Sequence, residues 1–136
     1  MIKITIIDYG SGNVLSAQKS FIKITKDNNI EANVLISKKI DDIKNSTHLV
    51  LPGQGAFSTC MSGINNTPGL ADELYEFAII KKRPFLGICV GMQMLADESE
   101  EKGQHKGLGW ISGKMKSIPN KNVKLPHMGW NTVKPI

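Results

Sequence analysis

Phe85-Leu86-Gly87-Ile88-Cys89-Val90-Gly91-Met92-Gln93 decides how the rest of the chain is read. The apolar run Phe85 to Ile88 has strand character, and Val90 to Glu98 follows it with amphipathic spacing, so a strand passes into a helix with no linker between them. The cysteine stands at the junction, bracketed by Gly87 and Gly91. A G-x-nucleophile-x-G string on a strand-to-helix turn is the form of a nucleophile elbow, in which the central residue takes strained dihedrals and the glycines let backbone approach closely. The turn also sets the sulfur at a helix N-terminus, where free N–H groups favour negative charge, and the Val90 N–H faces a developing oxyanion.

Working outward, the same strand-then-helix alternation recurs. Ile2 to Asp8 is rich in β-branched residues and is expected as a strand. Val14 to Lys26 places Val14, Ala17, Phe21 and Ile24 near helical spacing. Ala32 to Ile36 is a second strand, Ser37 to Ser46 carries a short helix, and His48 to Leu51 is a third strand stopped by Pro52-Gly53. Gly53 to Asn66 reads as a loop. Thr67-Pro68 reads as the cap and first residue of a helix ending at Lys81-Lys82-Arg83. Beyond Gly103, strands are expected over Trp110 to Ile118 and Val123 to Val133, with a turn at Pro119-Asn120.

Short connections between alternating strands and helices imply an α/β fold with a mostly parallel central sheet covered by helices on both faces. The 136 residues fit one domain. In such sheets ligands gather beyond the carboxyl ends of the strands. Three glycine-containing turns follow strands here, namely Tyr9 to Asn13, Pro52 to Gly55 and the Cys89 turn, and the fold brings them to one edge.

Composition narrows the function classes. Hydrophobic residues make up 40% of the chain and charged residues 21%, which is globular composition. No apolar run reaches the length of a membrane span, and the N-terminus meets Asp8 without the form of a signal peptide. Cys60 and Cys89 lack the spacing of a disulfide framework or a zinc site, so no metal is expected and a reducing cytoplasm is the expected compartment. The net charge of +5 comes from scattered lysines with Arg83 as the one arginine, which argues against a nucleic-acid partner. The dinucleotide pattern after the first strand fails because Leu15 stands where a third glycine is required, so no cofactor is expected. Cys60 reads as a packing residue, His48 as a strand residue and His105 as a solvated loop residue.

The string Gly87-Ile88-Cys89-Val90-Gly91-Met92-Gln93 resembles the G-I-C-x-G-x-Q signature of class I (triad) glutamine amidotransferases, which have a flavodoxin-like fold. Ile7 to Asn13, Leu51 to Phe57, Gly107 to Ile111 and Pro126-His127-Met128-Gly129-Trp130-Asn131 narrow the likeness to the glutaminase subunits of imidazole glycerol phosphate synthase. The resemblance implies hydrolysis of glutamine to glutamate and ammonia through a Cys89 thioester, without a cofactor. It implies an oxyanion hole from the Val90 N–H and a backbone N–H of Gly53, Gln54 or Gly55, with Gln93 and Gly55 holding the glutamine. It also implies a heterodimer with a (β/α)8-barrel cyclase subunit, with Asn13, His127, Met128, Trp130 and Asn131 facing that partner and lining the ammonia's exit.

The chain departs from the family pattern in two places. Gln54 stands where the family often has valine, which leaves a backbone donor intact. The family's triad also calls for a His and a Glu close together near the C-terminus, and His48, His105 and His127 do not match that pair. The expectation is therefore a single amidotransferase domain over residues 1–136 with its C-terminal part missing. Without an imidazole nothing relays a proton to the leaving ammonia. Two alternatives stand beside the enzyme: a catalytically silent relative that scaffolds or regulates a cyclase, and another cysteine hydrolase or amidotransferase of the elbow type.

Overall fold

The computed structural model describes residues 1–119, 122, 124, 125, 127 and 129–135. Four strands, β1 (Ile2–Ile7), β2 (Ala32–Ser37), β3 (His48–Gly53) and β4 (Phe85–Cys89), form one parallel sheet in the order β2-β1-β3-β4. The chain moves from β1 to one side for β2 and to the other for β3, so the strand order reverses at β1. In open α/β sheets the crevice beyond the strand ends at such a reversal receives ligands, and here it lies between the ends of β1 and β3.

Alternation along the strands divides the core in two. Ile4, Ile6 and Val50 face helix α1 (Val14–Asp27), which lays Val14, Ala17 and Phe21 on them. Ile7, Leu49 and Leu51 point to the opposite face and meet Phe57, Ile64, Leu70, Leu74 and Phe77. Each such side chain removed from water contributes roughly 1.5–3 kcal/mol, so both faces are anchored and the expected two-sided α/β architecture holds. On the α1 side, Leu86 and Ile88 of β4 remain partly exposed.

The second face holds α2 (Ile40–Lys44), α3 (Phe57–Asn65), and α4 (Leu70–Tyr75), which runs on into a π-helical turn over Glu76–Ile80. The expected loop from 53 to 66 is thus corrected by α3. Phe57, Cys60, Met61 and Ile64 recur at i, i+3, i+4 and i+7 and are all buried, a helical stripe obscured by the Ser, Thr, Gly and Asn around it. The expected Thr67 cap is corrected as well. Thr67 Oγ1 donates to the Gly63 carbonyl at 2.9 Å and so closes α3, while Gly69, at φ 74°, precedes α4.

Helix α5 covers only Val90–Gln93 rather than 90 to 98. The chain turns after Met94, and Ala96–Ser99 becomes β5, the middle strand of a second sheet ordered β6-β5-β7, with β6 His105–Lys106 antiparallel and β7 Ile111–Met115 parallel to it. Pairing on both sides, with a Lys114–Glu98 ion pair and the Gly113 N–H on Asp97 Oδ2 at 2.9 Å, overrides the helical periodicity of this segment. The strand expected over Trp110 to Ile118 is shortened to β7, and His105 belongs to β6. No strand occurs among the described residues from 122 to 135. Asn120, Val123, Pro126 and Met128 lie outside the described residues. Among the described residues no helix is long and apolar enough to cross a membrane.

Candidate active site

Cys89 ends β4 and immediately precedes α5, with φ 55° and ψ −119°. A non-glycine residue reaches this region only when its surroundings impose it. Those surroundings are backbone on backbone. A Cβ on Gly91 would run into the Leu51 carbonyl, and one on Gly87 would lie 2.6 Å from Met92 Cα and 2.7 Å from its nitrogen. Gly53 is pressed against Val90 and Gly91 in the same way. The three glycines let α5 sit directly on the ends of β3 and β4, and that contact forces the bend at Cys89.

The thiol of Cys89 is exposed, whereas Cys60 is fully buried. Cys89 opens onto a groove of about 390 Å³ lined by Asn13, Phe21, Pro52, Gly53, Gln54 and Ile88, among others. Two of the three expected turns therefore border this groove directly and the third reaches it through Asn13. Register pairs Gly53 with Cys89 across β3 and β4. Val90 begins α5, so its N–H is one of the first-turn amides that lack a partner within the helix. Around Cys89 the arrangement offers an accessible sulfur, a helix N-terminus and a glycine-rich strand end side by side, the parts of a site that attacks a carbonyl and holds the resulting oxyanion.

The remaining predicted residues are placed as follows. Asn13 caps α1, its Oδ1 accepting from the Ser16 N–H at 3.0 Å. Gln93, one turn along from Cys89, is half-buried and borders a neighbouring cavity of about 400 Å³ with Ser99, Glu100, Glu101 and Lys102 rather than the Cys89 groove. His127, Trp130 and Asn131 are exposed, and Met128 lies outside the described residues. His48 opens β3 with Nδ1 2.9 Å from Thr47 Oγ1. Neither His48 nor any other histidine lines the Cys89 groove, and no group of His, Cys, Asp and Glu among the described residues could hold a metal.

Sequence reasoning missed the supports of the glycine-rich segment. The Tyr9 phenol donates to the Pro52 carbonyl at 2.6 Å, and burial pushes its pKa far above the ordinary phenol range, with Cys60 adding to the shift, so the phenol stays a donor. Ser11 Oγ donates to the Gln54 carbonyl at 2.9 Å and accepts the Gln54 N–H at 3.2 Å. Cys60, expected to be a packing residue, has its Sγ 3.2 Å from Ser11 Oγ and 3.4 Å from the Gln54 carbonyl. Glu101 Oε2 accepts the Phe57 N–H at 2.7 Å and caps α3 from the loop after β5. These partners stand more than forty residues apart, except Cys60 and Gln54, and the one local clue was the polar turn Tyr9 to Asn13.

Comparison with known proteins agrees with this geometry. Residues 12–117 match the model of the SNO glutamine amidotransferase family. Over 133 residues the chain is 43% identical to imidazole glycerol phosphate synthase subunit HisH of Rhodospirillum rubrum, and over 132 residues it is 46% identical to the subunit of that name from Pelagibacter ubique. The likeness to the Gluconobacter oxydans subunit of the same name is 46% over 134 residues. Each match takes in 96% of this chain and 62% of the relative, so the chain spans a little under two thirds of the length of these curated relatives. With the family model matching most of its residues, and the strained cysteine and its glycines inside the matched segment, the chain belongs to the SNO glutamine amidotransferase family.

Proposed function

We propose that this chain carries the glutamine-cleaving site of an imidazole glycerol phosphate synthase, working as the glutaminase subunit of that enzyme in histidine biosynthesis. The single observation that carries the reading is Cys89, exposed at φ 55° between β4 and α5 and paired in register with Gly53. In the proposed reaction Cys89 Sγ attacks the side-chain carbonyl carbon of glutamine. The carbonyl oxygen becomes an oxyanion received by the Val90 N–H and by a backbone N–H of the Gly53-Gln54-Gly55 segment. Collapse of that adduct breaks the carbon–nitrogen bond, and the nitrogen leaves as ammonia once protonated. Water then adds to the thioester carbonyl, releasing glutamate and regenerating the thiol.

Both the proton for ammonia and the activation of water need a base, and on this reading it comes from outside the residues that line the Cys89 groove. Gln93 is proposed to hold the glutamine from the neighbouring cavity. There Glu100 and Glu101 suit its ammonium group and Lys102 its carboxylate, about 6 Å along the helix from the sulfur. Gly55, at the mouth of the glycine-rich segment, is proposed to contact the same substrate.

Ammonia free in water is protonated and lost as a nucleophile, so a site of this kind gains from a closed passage to a second active site. The relatives' names describe a synthase subunit, and we assign this chain a partner subunit, a (β/α)8-barrel cyclase, facing Asn13, His127, Met128, Trp130 and Asn131. The test is steady-state glutamate production by the full-length protein with its partner. Turnover lost in Cys89→Ala at unchanged partner binding is the expected result. No turnover in the unaltered complex would refute the reading and favour a silent scaffold.

A further inference from the structure

Resting on the proposed glutaminase reading, we infer that the Gln54 side chain is a tethered competitor of the substrate, whose carboxamide enters the Cys89 site when glutamine is absent. Residue 54 ends in the group that the proposed reaction attacks, a carboxamide carried on two methylenes. It stands on the wall of the groove onto which Cys89 opens. A site that receives a carboxamide therefore has one beside it at all times.

Reach and freedom both favour the contact. Gly53 pairs in register with Cys89, and paired strands run about 4.8 Å apart. Gln54 is the next residue, a further ~3.8 Å along the chain, so its Cα lies within roughly 9 Å of that of Cys89. A glutamine and a cysteine side chain turned towards each other close that distance. The Gln54 backbone is fixed, its N–H and carbonyl both bonded to Ser11 Oγ at 3.2 and 2.9 Å. Gln54 is nevertheless exposed, and its side chain makes no hydrogen bond among the described residues. Asn13 brings the other carboxamide to the groove, and that one is committed, its Oδ1 accepting the Ser16 N–H at 3.0 Å.

Cys89 is itself exposed, so in the structure the Gln54 carboxamide stands beside the sulfur, and covering it takes a side-chain rotation. In the covered form the Val90 N–H, one of the first-turn amides of α5, receives the carboxamide oxygen. A bare carboxamide lacks the ammonium and carboxylate of free glutamine and binds weakly, but a short tether keeps it at an effective concentration of roughly millimolar or above. Glutamine has to displace it, so Gln54 raises KM and leaves the chemical step alone. The same occupancy shields the sulfur from small electrophiles while no substrate is bound.

The test uses the full-length protein with Gln54→Met, which keeps the length of the side chain and removes the amide, and Gln54→Ala, which removes both. The first readout is the rate at which iodoacetamide alkylates Cys89 in the absence of glutamine, followed by mass spectrometry. Both variants are expected to react about threefold faster than the unaltered protein, the scale of releasing a weak tethered competitor. The second readout is glutamine kinetics with the partner subunit, where KM is expected to fall about threefold in Gln54→Met with kcat within twofold. Faster alkylation in Gln54→Ala alone would show that bulk rather than the amide shields the sulfur, and would overturn the inference. Unaltered alkylation in both variants would overturn it too, as would an unaltered KM in an enzyme that turns over. The alkylation rates decide the inference even if the unaltered complex proves inactive, and that inactivity would overturn the glutaminase reading instead.

Discussion

Replacing Cys89 by glycine is expected to leave the protein more stable than replacing it by alanine. At φ 55° and ψ −119° the residue occupies a region that costs any residue bearing a Cβ. Reversing both signs gives about −55° and +119°, an ordinary extended conformation, so glycine, which is indifferent to handedness, meets no penalty there. Alanine deletes the sulfur but keeps the Cβ and therefore the strain, which makes the pair a measure of backbone alone. Strain of this kind is of order 1–3 kcal/mol, and glycine gives back roughly 0.5–1 kcal/mol in unfolded-chain entropy. Taken at the middle of each range, the net advantage for Cys89→Gly over Cys89→Ala is about 1 kcal/mol. In urea unfolding, with a slope of roughly 1–3 kcal/mol per molar, that moves the midpoint by ~0.5 M at equal slope. A glycine midpoint equal to or below that of alanine would show that the bend stores no strain, and the elbow reading would fail.

Two further predictions concern the walls of the site. Gly91→Ala places a Cβ against the Leu51 carbonyl and 2.8 Å from Leu51 C, backbone that cannot yield. It should cost about 3 kcal/mol or more in denaturant unfolding, and if it does fold, the shifted sulfur should react with electrophiles far more slowly. Tyr9→Phe should flatten the alkaline limb of the stability curve. Burial raises the Tyr9 phenol pKa above its unfolded value, so its contribution is complete below pH about 10, where the unfolded phenol titrates, and is lost as pH rises above that. Unfolding followed from pH 8 to 11 checks the sign, and an identical alkaline slope in both proteins would contradict it.

The sheet was legible because β1 carries a β-branched run, β2, β3 and β4 carry short apolar runs, and Pro52-Gly53 stops β3, and α1 because Val14, Ala17 and Phe21 form a stripe. The convergence of the Cys89 turn with Pro52 to Gly55 was legible too, since a parallel sheet sends its strand ends to one edge. Helix α3 was hidden because Ser58, Thr59, Ser62 and Gly63 surround its buried stripe with residues that favour turns. Ala96 to Ser99 carries no strand signal of its own and is held by pairing with β6 and β7. The grip of Ser11 on Gln54 and of Glu101 on Phe57 spans 43 and 44 residues, separations at which composition and periodicity carry no information. Sequence pattern therefore located the sulfur and the backbone facing it, while the contacts that hold that backbone still had to be seen in three dimensions.

The most direct test is covalent. The full-length protein is incubated with a diazo-ketone analogue of glutamine and the modified peptide is mapped by mass spectrometry, with and without excess glutamine. The account predicts one adduct, on the exposed Cys89 and not on the buried Cys60, with glutamine suppressing it. Modification that glutamine does not slow, or no modification at Cys89, would contradict it.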